Sequence, residues 1–300
     1  MAEQYLAIVN PAAGGGRCGK EANDALAELR EAGLDIAVFK TGAPGEATQV
    51  ARSAFRDGVR RFIAVGGDGT GFEIVNGLFP EAQREKQVPT LGFLPLGTGN
   101  SFLRDFTTEG AVYSRKALIE RRRRRCDVIW LKHRDGDLFF INILSFGFVA
   151  DACTIANQRF KRFGEAGYGL GVVTKLLDLK AYPIPVALDG GPMDARPKTF
   201  ISINNSRFTG GKMMMAPGAD ASDGLAELIS VGALSRVGLL RTFPKIFEGT
   251  HVQHPAVETR KARSMVFQVD RPMDAMIDGE VISVWPERLE VLPQALEVCV

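Results

Sequence analysis

The chain has 300 residues, a formal net charge of +2, 45% apolar residues and 24% charged residues. That length can bury a large core and suggests two domains. The small net charge and the lack of a recognition motif exclude a nucleic-acid binder, and no apolar run approaches the ~20 residues of a membrane span. Met1 to Tyr5 contains an acid and no basic stretch, so no secretory signal is expected and the location expected is cytoplasmic. Cys18, Cys126, Cys153 and Cys299 are dispersed with no CxxC pair. They read as reduced, mostly buried thiols, not as a zinc site or a disulfide framework.

The first half alternates strand and helix patterns. Tyr5–Val9 reads as a strand, followed by the glycine-rich stretch Asn10 to Gly19 and an amphipathic helix over Glu21–Ala32. A strand over Asp35–Phe39, a helix over Glu46–Asp57, a strand over Phe62–Val65, a helix over Phe72–Leu78 and a strand over Thr90–Leu94 follow. Such βαβ repetition predicts a parallel sheet, with ligands at the C-terminal ends of its strands. Near residue 125 the regime changes. Asp127–Leu131 and Leu138–Leu144 read as strands joined by a hairpin at Arg134-Asp135-Gly136-Asp137. Further strands are expected at Pro185–Leu188, Thr199–Asn204, Leu225–Val231, Met265–Val269 and Ala275–Ile277, with helices at Tyr168–Ala181 and Val237–Phe247. The expected organisation is a nucleotide-binding α/β domain over 1–125 and a mostly antiparallel β-sandwich over 126–300. The extreme C-terminus is free to pack back on the first domain, and a cleft is expected between the two.

Three glycine loops follow three of the predicted parallel strands. Gly66-Gly67-Asp68-Gly69-Thr70 stands between a strand and a helix N-terminus, an arrangement that cradles phosphate. Asn10-Pro11-Ala12-Ala13-Gly14-Gly15-Gly16 and Leu96-Gly97-Thr98-Gly99-Asn100 close the other two strands. Together they are expected to line one nucleotide groove. Gly14 to Lys20 nearly spells a Walker A loop, but Glu21 stands where that loop needs a hydroxyl.

NPAAGGG, GGDGT with Glu73 and Asn76-Gly77, and PLGTGNSF, in this order, resemble the diacylglycerol kinase catalytic domain family, which includes sphingosine, ceramide and bacterial lipid kinases. The resemblance continues through Asn142 to Phe148, Asn204-Asn205, Gly210 to Met213, Ala216-Pro217, Asp223-Gly224-Leu225 and Asp278-Gly279-Glu280. GGDGT alone is shared with phosphofructokinases and NAD kinases. The resemblance implies a first domain of the Rossmann-like type found in those kinases, ATP with Mg2+, and a lipid hydroxyl as acceptor at a membrane surface. ATP would contact Asn10, Pro11, Gly14, Gly66, Gly67, Asp68, Gly69, Thr70, Gly97, Thr98 and Asn100, with Thr41 as another contact that the family pattern suggests. A catalytic magnesium would bridge the phosphates with Asp68 close by. Glu280 is implied as general base with Asp278 as helper, since phosphoryl transfer needs a carboxylate to take the hydroxyl proton; in some relatives the residue matching Asp68 has that role. Spacing i, i+2 on a strand would put Asp278 and Glu280 on one face, although Gly279 can mark a bend.

Gly71 and Phe72 depart from the family pattern, which has a branched aliphatic and Asn there. A contact near the nucleotide is then lost or replaced by stacking, and this motivates the alternative of a non-catalytic nucleotide- or lipid-binding module. A second alternative is a soluble-substrate kinase of the NAD kinase type. The acid-rich turn Asp220 to Leu225 suits a hard cation or a plain Asx turn. The resemblance implies a structural metal at Asp220, Asp223 and Leu225, with Asp223 the main ligand. His251 and His254 are followed by Pro255 and lack an acidic or thiol partner nearby, so a loop or core role is expected of them. The Arg121–Arg125 run reads as a solvated helix end able to attract anionic headgroups, as do Arg159, Lys161 and Arg162. A homodimer is left open.

Overall fold

The computed structural model describes residues 4–147 and 181–300. The helix expected over Tyr168–Ala181 falls outside them except for its last residue, as do Phe148, Cys153, Arg159, Lys161 and Arg162. The chain forms two compact units, one of residues 1–128 with 293–300 and one of residues 129–292.

In the first unit, strands β1 (Gln4–Val9), β2 (Asp35–Lys40), β3 (Arg61–Gly66) and β4 (Thr90–Pro95) form a parallel sheet in the order β2-β1-β3-β4. The chain end adds a further parallel neighbour to β4 through Glu297 opposite Thr90 and Val298 opposite Leu91. β3 and β4 are almost wholly buried, which explains their continuous apolar runs. Helix α1 (Arg17–Glu31) lays Cys18, Ala22, Leu26 and Leu29 on one face of the sheet, against Tyr5, Ile36 and Ile63. It begins at Arg17, four residues before the expected start, because Gly14, Gly15 and Gly16 adopt positive φ of 61°, 67° and 91° and turn the chain within three residues. Gly19 and Lys20 therefore lie inside a helix, and the Walker-like spacing makes no phosphate loop.

Helices α2 (Glu46–Arg56) and α3 (Asp68–Leu78) pack closely. Glu73 of α3 accepts from the N–H groups of Gly45 (2.9 Å) and Ala47 (3.1 Å), so its carboxylate caps the N-terminus of α2. A Cβ on Gly77 would stand 2.5 Å from the Thr48 carbonyl and 2.7 Å from Ala51 Cβ. Glu73 and the Asn76-Gly77 pair of the motif thus join two helices.

The second unit contains a six-stranded antiparallel sheet in the order Val257–Ala262, Ala226–Val231, Phe200–Asn204, Ile143–Gly147, Met273–Ile277, Glu280–Val284. One face carries a core of Ile143, Phe200, Ile229 and Met276, covered by Leu239 and Ile246. On the other, Phe146 meets Phe267 edge to face at 5.8 Å. Phe267 belongs to Ser264–Phe267, which pairs with Val186–Leu188 and with the strand around Leu289 to build the opposing layer of the sandwich. The single strand expected over Leu138–Leu144 is two. Gly136–Phe140 pairs with Arg123–His133, and Ile143–Gly147 enters the six-stranded sheet. The helix expected over Val237–Phe247 is α-helical only over Arg236–Thr242 and continues as a 3-10 helix over Phe243–Phe247. Pro244 has no N–H to donate back to Leu240, which ends the α ladder.

Replacing Gly77 with Val should lower unfolding free energy by about 1–3 kcal/mol, because the obstructing atoms are backbone and Cβ and the helices must part. Urea denaturation measures this; wild-type stability would show that the α2–α3 contact is loose.

Candidate active site

The loops after β1, β3 and β4 touch one another. Asn10 donates its N–H to Val65 O (3.0 Å), and Gly97 donates to Gly66 O (2.8 Å). A Cβ on Gly97 would overlap Gly67 Cα and stand 2.7 Å from Gly67 N, and one on Gly14 would stand 2.5 Å from Leu96 O. Only glycine permits these approaches. Arg17, which the motif reading passed over, ties the first loop to the third by donating to Gly97 O (2.8 Å) and Leu96 O (3.3 Å). Its signal was present in the sequence as the first cation after the glycine triplet.

Asp68 opens α3. Both its carboxylate oxygens accept from Ser101 N–H, at 2.8 and 2.9 Å, so it also holds the end of the third loop. Burial raises its pKa, and hydrogen bonds from Ser101 and from the Phe102 backbone oppose that rise. Thr70 is buried, and its hydroxyl has no hydrogen-bond partner. An orphaned hydroxyl in the first turn of a helix, beside main chain stripped of Cβ atoms, fits a phosphate group. For magnesium, the loops offer one carboxylate, Asp68, which already accepts from Ser101 and the Phe102 backbone. That suits an ion that keeps waters and takes most ligands from phosphate.

The other expected contacts divide. Asn10 Oδ1 accepts from Ala12 N–H (3.1 Å), and Asn100 Nδ2 donates to Gly97 O (3.1 Å), so both side chains brace their own loops. Pro11 O accepts from Gly19 N–H (3.1 Å). The Thr41 hydroxyl donates to Val9 O (3.2 Å) at the end of β1. Thr98 is exposed at the loop tip and Gly69 lies in the first turn of α3. Phe72 is buried at 7% exposure, and Gly71 faces the Phe93 ring. The departure from the family pattern therefore sits in the protein interior, which favours the lost contact over stacking among the two outcomes expected of Phe72.

In the second unit, distant motifs converge on one point. Asp278 is buried, and its carboxylate accepts from the N–H groups of Ile141 (3.0 Å), Asn142 (3.1 Å) and Ile143 (2.8 Å). Asn205 donates its side-chain amide to Ile141 O (2.8 Å) and its N–H to Asn142 O (2.8 Å), and Ser206 hydrogen-bonds the Asn142 side chain. This is the point at which the expected 138–144 strand breaks. Asp278 and Gly279 have φ of 46° and 94°, and Ile277 pairs with Glu280. They form a two-residue hairpin turn of the type that needs positive φ twice. The one-face reading is thereby corrected: Asp278 points into the protein and Glu280 stands exposed on the next strand.

The turn expected to hold a metal is already satisfied. Asp220 Oδ1 accepts from the N–H (3.0 Å) and hydroxyl (2.7 Å) of Ser222, and Asp223 Oδ1 accepts from Leu225 N–H (3.0 Å). Asp223 Oδ2 takes the ammonium of Lys261 at 2.7 Å. Lys261 is directly opposite Glu227 on the neighbouring strand, and burial raises the pKa of Glu227 against the pull of that ammonium. An ammonium on the main ligand competes with any cation. Asp220, Asp223 and Leu225 do not fit a resident metal in this arrangement.

His251 is buried with Nε2 3.0 Å from Met215 O, and burial lowers its pKa; His254 Nδ1 accepts from Ala256 N–H. They form no metal pair. The arginine run is a helix end in its first two residues, where the N–H groups of Arg121 and Arg122 donate to Leu118 O and Ala117 O, and it enters a strand at Arg123; Arg123 pairs with Glu297 at 3.3 Å, Arg122 with Glu120 at 3.1 Å, and Arg124 stacks over Phe106. No helix among the described residues is long and apolar enough to cross a membrane.

Residues 4–131 match the family model described as the diacylglycerol kinase catalytic domain, and residues 142–300 match the YegS C-terminal NAD kinase beta sandwich-like domain. The chain is 28% identical over 299 residues to a diacylglycerol kinase of Mycobacterium tuberculosis, covering 98% of this chain and 94% of that protein. It is 31% identical over 278 residues to the "Probable lipid kinase YegS-like" of Chromohalobacter salexigens, covering 92% and 87%. A crystal structure of a diacylglycerol kinase from Bacillus anthracis superposes with a TM-score of 0.69 at 21% identity, over 99% of this chain and 96% of that one, a likeness of fold.

Asp278→Ala should cost about 2–3 kcal/mol or more in urea denaturation, since it leaves three buried N–H groups unpaired. Glu280→Ala, on the exposed strand, should stay within about 0.5 kcal/mol. Equal effects would mean that the knot does not hold the turn. Chelation by EDTA should leave the melting temperature of the wild type unchanged. Lys261→Met should lose about 0.5–1 kcal/mol, in keeping with a half-exposed ion pair. A clear drop in the wild type on chelation would restore the metal.

Proposed function

Since the chain belongs to the diacylglycerol kinase family of lipid kinases, we propose that it transfers the γ-phosphate of ATP to a hydroxyl of a diacylglycerol- or sphingoid-like lipid. The observation that carries the nucleotide half is the packing of Gly97 on Gly67 beside the unpaired, buried Thr70 hydroxyl. Phosphate oxygens there would receive the Thr70 hydroxyl and the free N–H groups that open α3, with the positive end of the helix dipole behind them. Gly14, held against Leu96, and the tip Thr98-Gly99 would flank the nucleotide. Magnesium, when bound, would supply neutralisation of the phosphate charge, with Asp68 as the protein carboxylate beside it.

For the acceptor half, Glu280 is the proposed general base. It is exposed and ionisable, and it follows directly on a turn that Asp278 anchors through three hydrogen bonds. Asp278 itself has its carboxylate committed to main chain, so its part is to position Glu280. Orientation and charge neutralisation make up most of catalysis in phosphoryl transfer, which makes a rigid turn useful.

The test is transfer of radiolabelled γ-phosphate from ATP with magnesium into a panel of diacylglycerols, sphingoid bases and NAD, followed by organic extraction. A labelled lipid is expected, and its mobility names the acceptor. Label in NAD, or ATP binding with no labelled lipid, would overturn the proposal. Glu280→Gln and Asp68→Asn should each lower turnover by roughly 100-fold or more while leaving the melting temperature near wild type. Wild-type rates in either variant would remove that residue from the mechanism.

A further inference from the structure

The three glycine loops, residues 10–16, 66–70 and 96–100, contain no lysine or arginine. A triphosphate carries more negative charge than one magnesium ion cancels, so phosphoryl-transfer sites add a cationic side chain. Among the described residues, Arg17 is the one lysine or arginine whose side chain is hydrogen-bonded to these loops. Lys20, the lysine of the Walker-like spacing, lies exposed in the first turn of α1.

Arg17 opens α1 directly after the glycine triplet. Its own N–H is spent on Ala13 O and Gly14 O, and the N–H of Gly19 goes to Pro11 O. The main chain that starts α1 is thus largely committed to the first loop, and what remains for a ligand is the side chain. Nη2 donates to Leu96 O (3.3 Å) and Gly97 O (2.8 Å), which fixes the guanidinium between the first and third loops. Nε lies beside Gly14, where a Cβ would stand 3.5 Å from it. The N–H of Nε and both N–H groups of Nη1 have no acceptor among the described residues, and no carboxylate there pairs with the cation.

This guanidinium is bonded to the residue that closes the phosphate cradle. Gly97 accepts from Arg17 and packs its Cα on Gly67, next to Asp68 and three residues before the unpaired Thr70 hydroxyl. Asp68 holds the far end of the same loop at Ser101. A cation at one end of the loop and a carboxylate at the other suit phosphate oxygens and the magnesium ion on them, respectively. The two carbonyl bonds also hold the arginine in place before a ligand arrives, so little side-chain entropy opposes its remaining bonds.

We infer that Arg17 is the phosphate-binding cation of the nucleotide site: Nη2 stays on the third loop, and the N–H groups of Nε and Nη1 donate to phosphate oxygens of the nucleotide. The inference rests on the ATP reading above, and binding without transfer tests it. Magnesium-ATP and adenosine are titrated into the wild type, Arg17→Met and Arg17→Lys, with no acceptor present. Arg17→Met should weaken ATP binding roughly tenfold or more and leave adenosine within about twofold, since charge-assisted bonds to phosphate are lost and the nucleoside makes none. Arg17→Lys, which keeps the charge but not the planar fork, should fall between the two. Rising salt should weaken ATP binding less steeply in Arg17→Met than in the wild type. Loss of loop bracing alone would weaken ATP and adenosine together. Equal losses for the two ligands would therefore make Arg17 a brace and overturn the inference, as would wild-type ATP affinity in Arg17→Met. Wild-type protein that binds no ATP would fail the nucleotide reading itself, and this inference with it.

Discussion

A carboxylate taken out of water must find donors, and Asp278 finds three on consecutive backbone positions, Ile141 to Ile143. Much in the second unit follows from this contact. It lets the chain leave the strand ending at Phe140 and enter the six-stranded sheet at Ile143 without orphaning buried N–H groups. It holds a left-handed residue inside the hairpin turn, and it sets where Glu280 emerges. Asn205 and Ser206 complete the network from another strand end, so segments far apart in the chain meet in one buried polar knot.

The first unit depends on a constraint of a different kind, the absence of side chains. Gly97 against Gly67 and Gly14 against Leu96 bring three loops into main-chain contact, and Arg17 and Asp68 then hold the loops together. A sheet that ends its strands in such loops leaves N–H groups and one unpaired hydroxyl at the N-terminus of α3. The motif glycines differ in what they do. Gly77 serves helix packing, and Gly71 faces the Phe93 ring.

Elements with strong local signals were legible. Alternating apolar strands and amphipathic helices announced the parallel sheet, and Asp135-Gly136 announced a hairpin. The misreadings have physical causes. Leu138–Leu144 is uniformly apolar, and nothing local shows that its two halves enter different sheets. Pro244 was visible, but a helix that continues past a proline as 3-10 turns depends on the core beneath it. The arginine run does close a helix at Arg121 and Arg122, but the strand that starts at Arg123 was hidden because its partner Glu297 lies at the opposite end of the chain. Phe72 looked like a ligand contact because it directly follows the GGDGT motif, yet one position along a helix turns a side chain by about 100°, and the Phe72 side chain is buried. Lys261 could not be read as the counter-ion of Asp223 before the strand pairing was known.

By itself the sequence determined the class of the fold, the family of its motifs, and the positions where backbone must pass close to backbone, since glycine and periodicity act over a few residues. Tertiary structure alone decided which polar motif residues satisfy buried main chain and which stand exposed. It turned Asp278 inward and Glu280 outward, gave Glu73 to a neighbouring helix, and set an ammonium on Asp223. The reason is that a polar side chain takes its role from the donors and charges brought to it, and those come from strands and helices far along the chain.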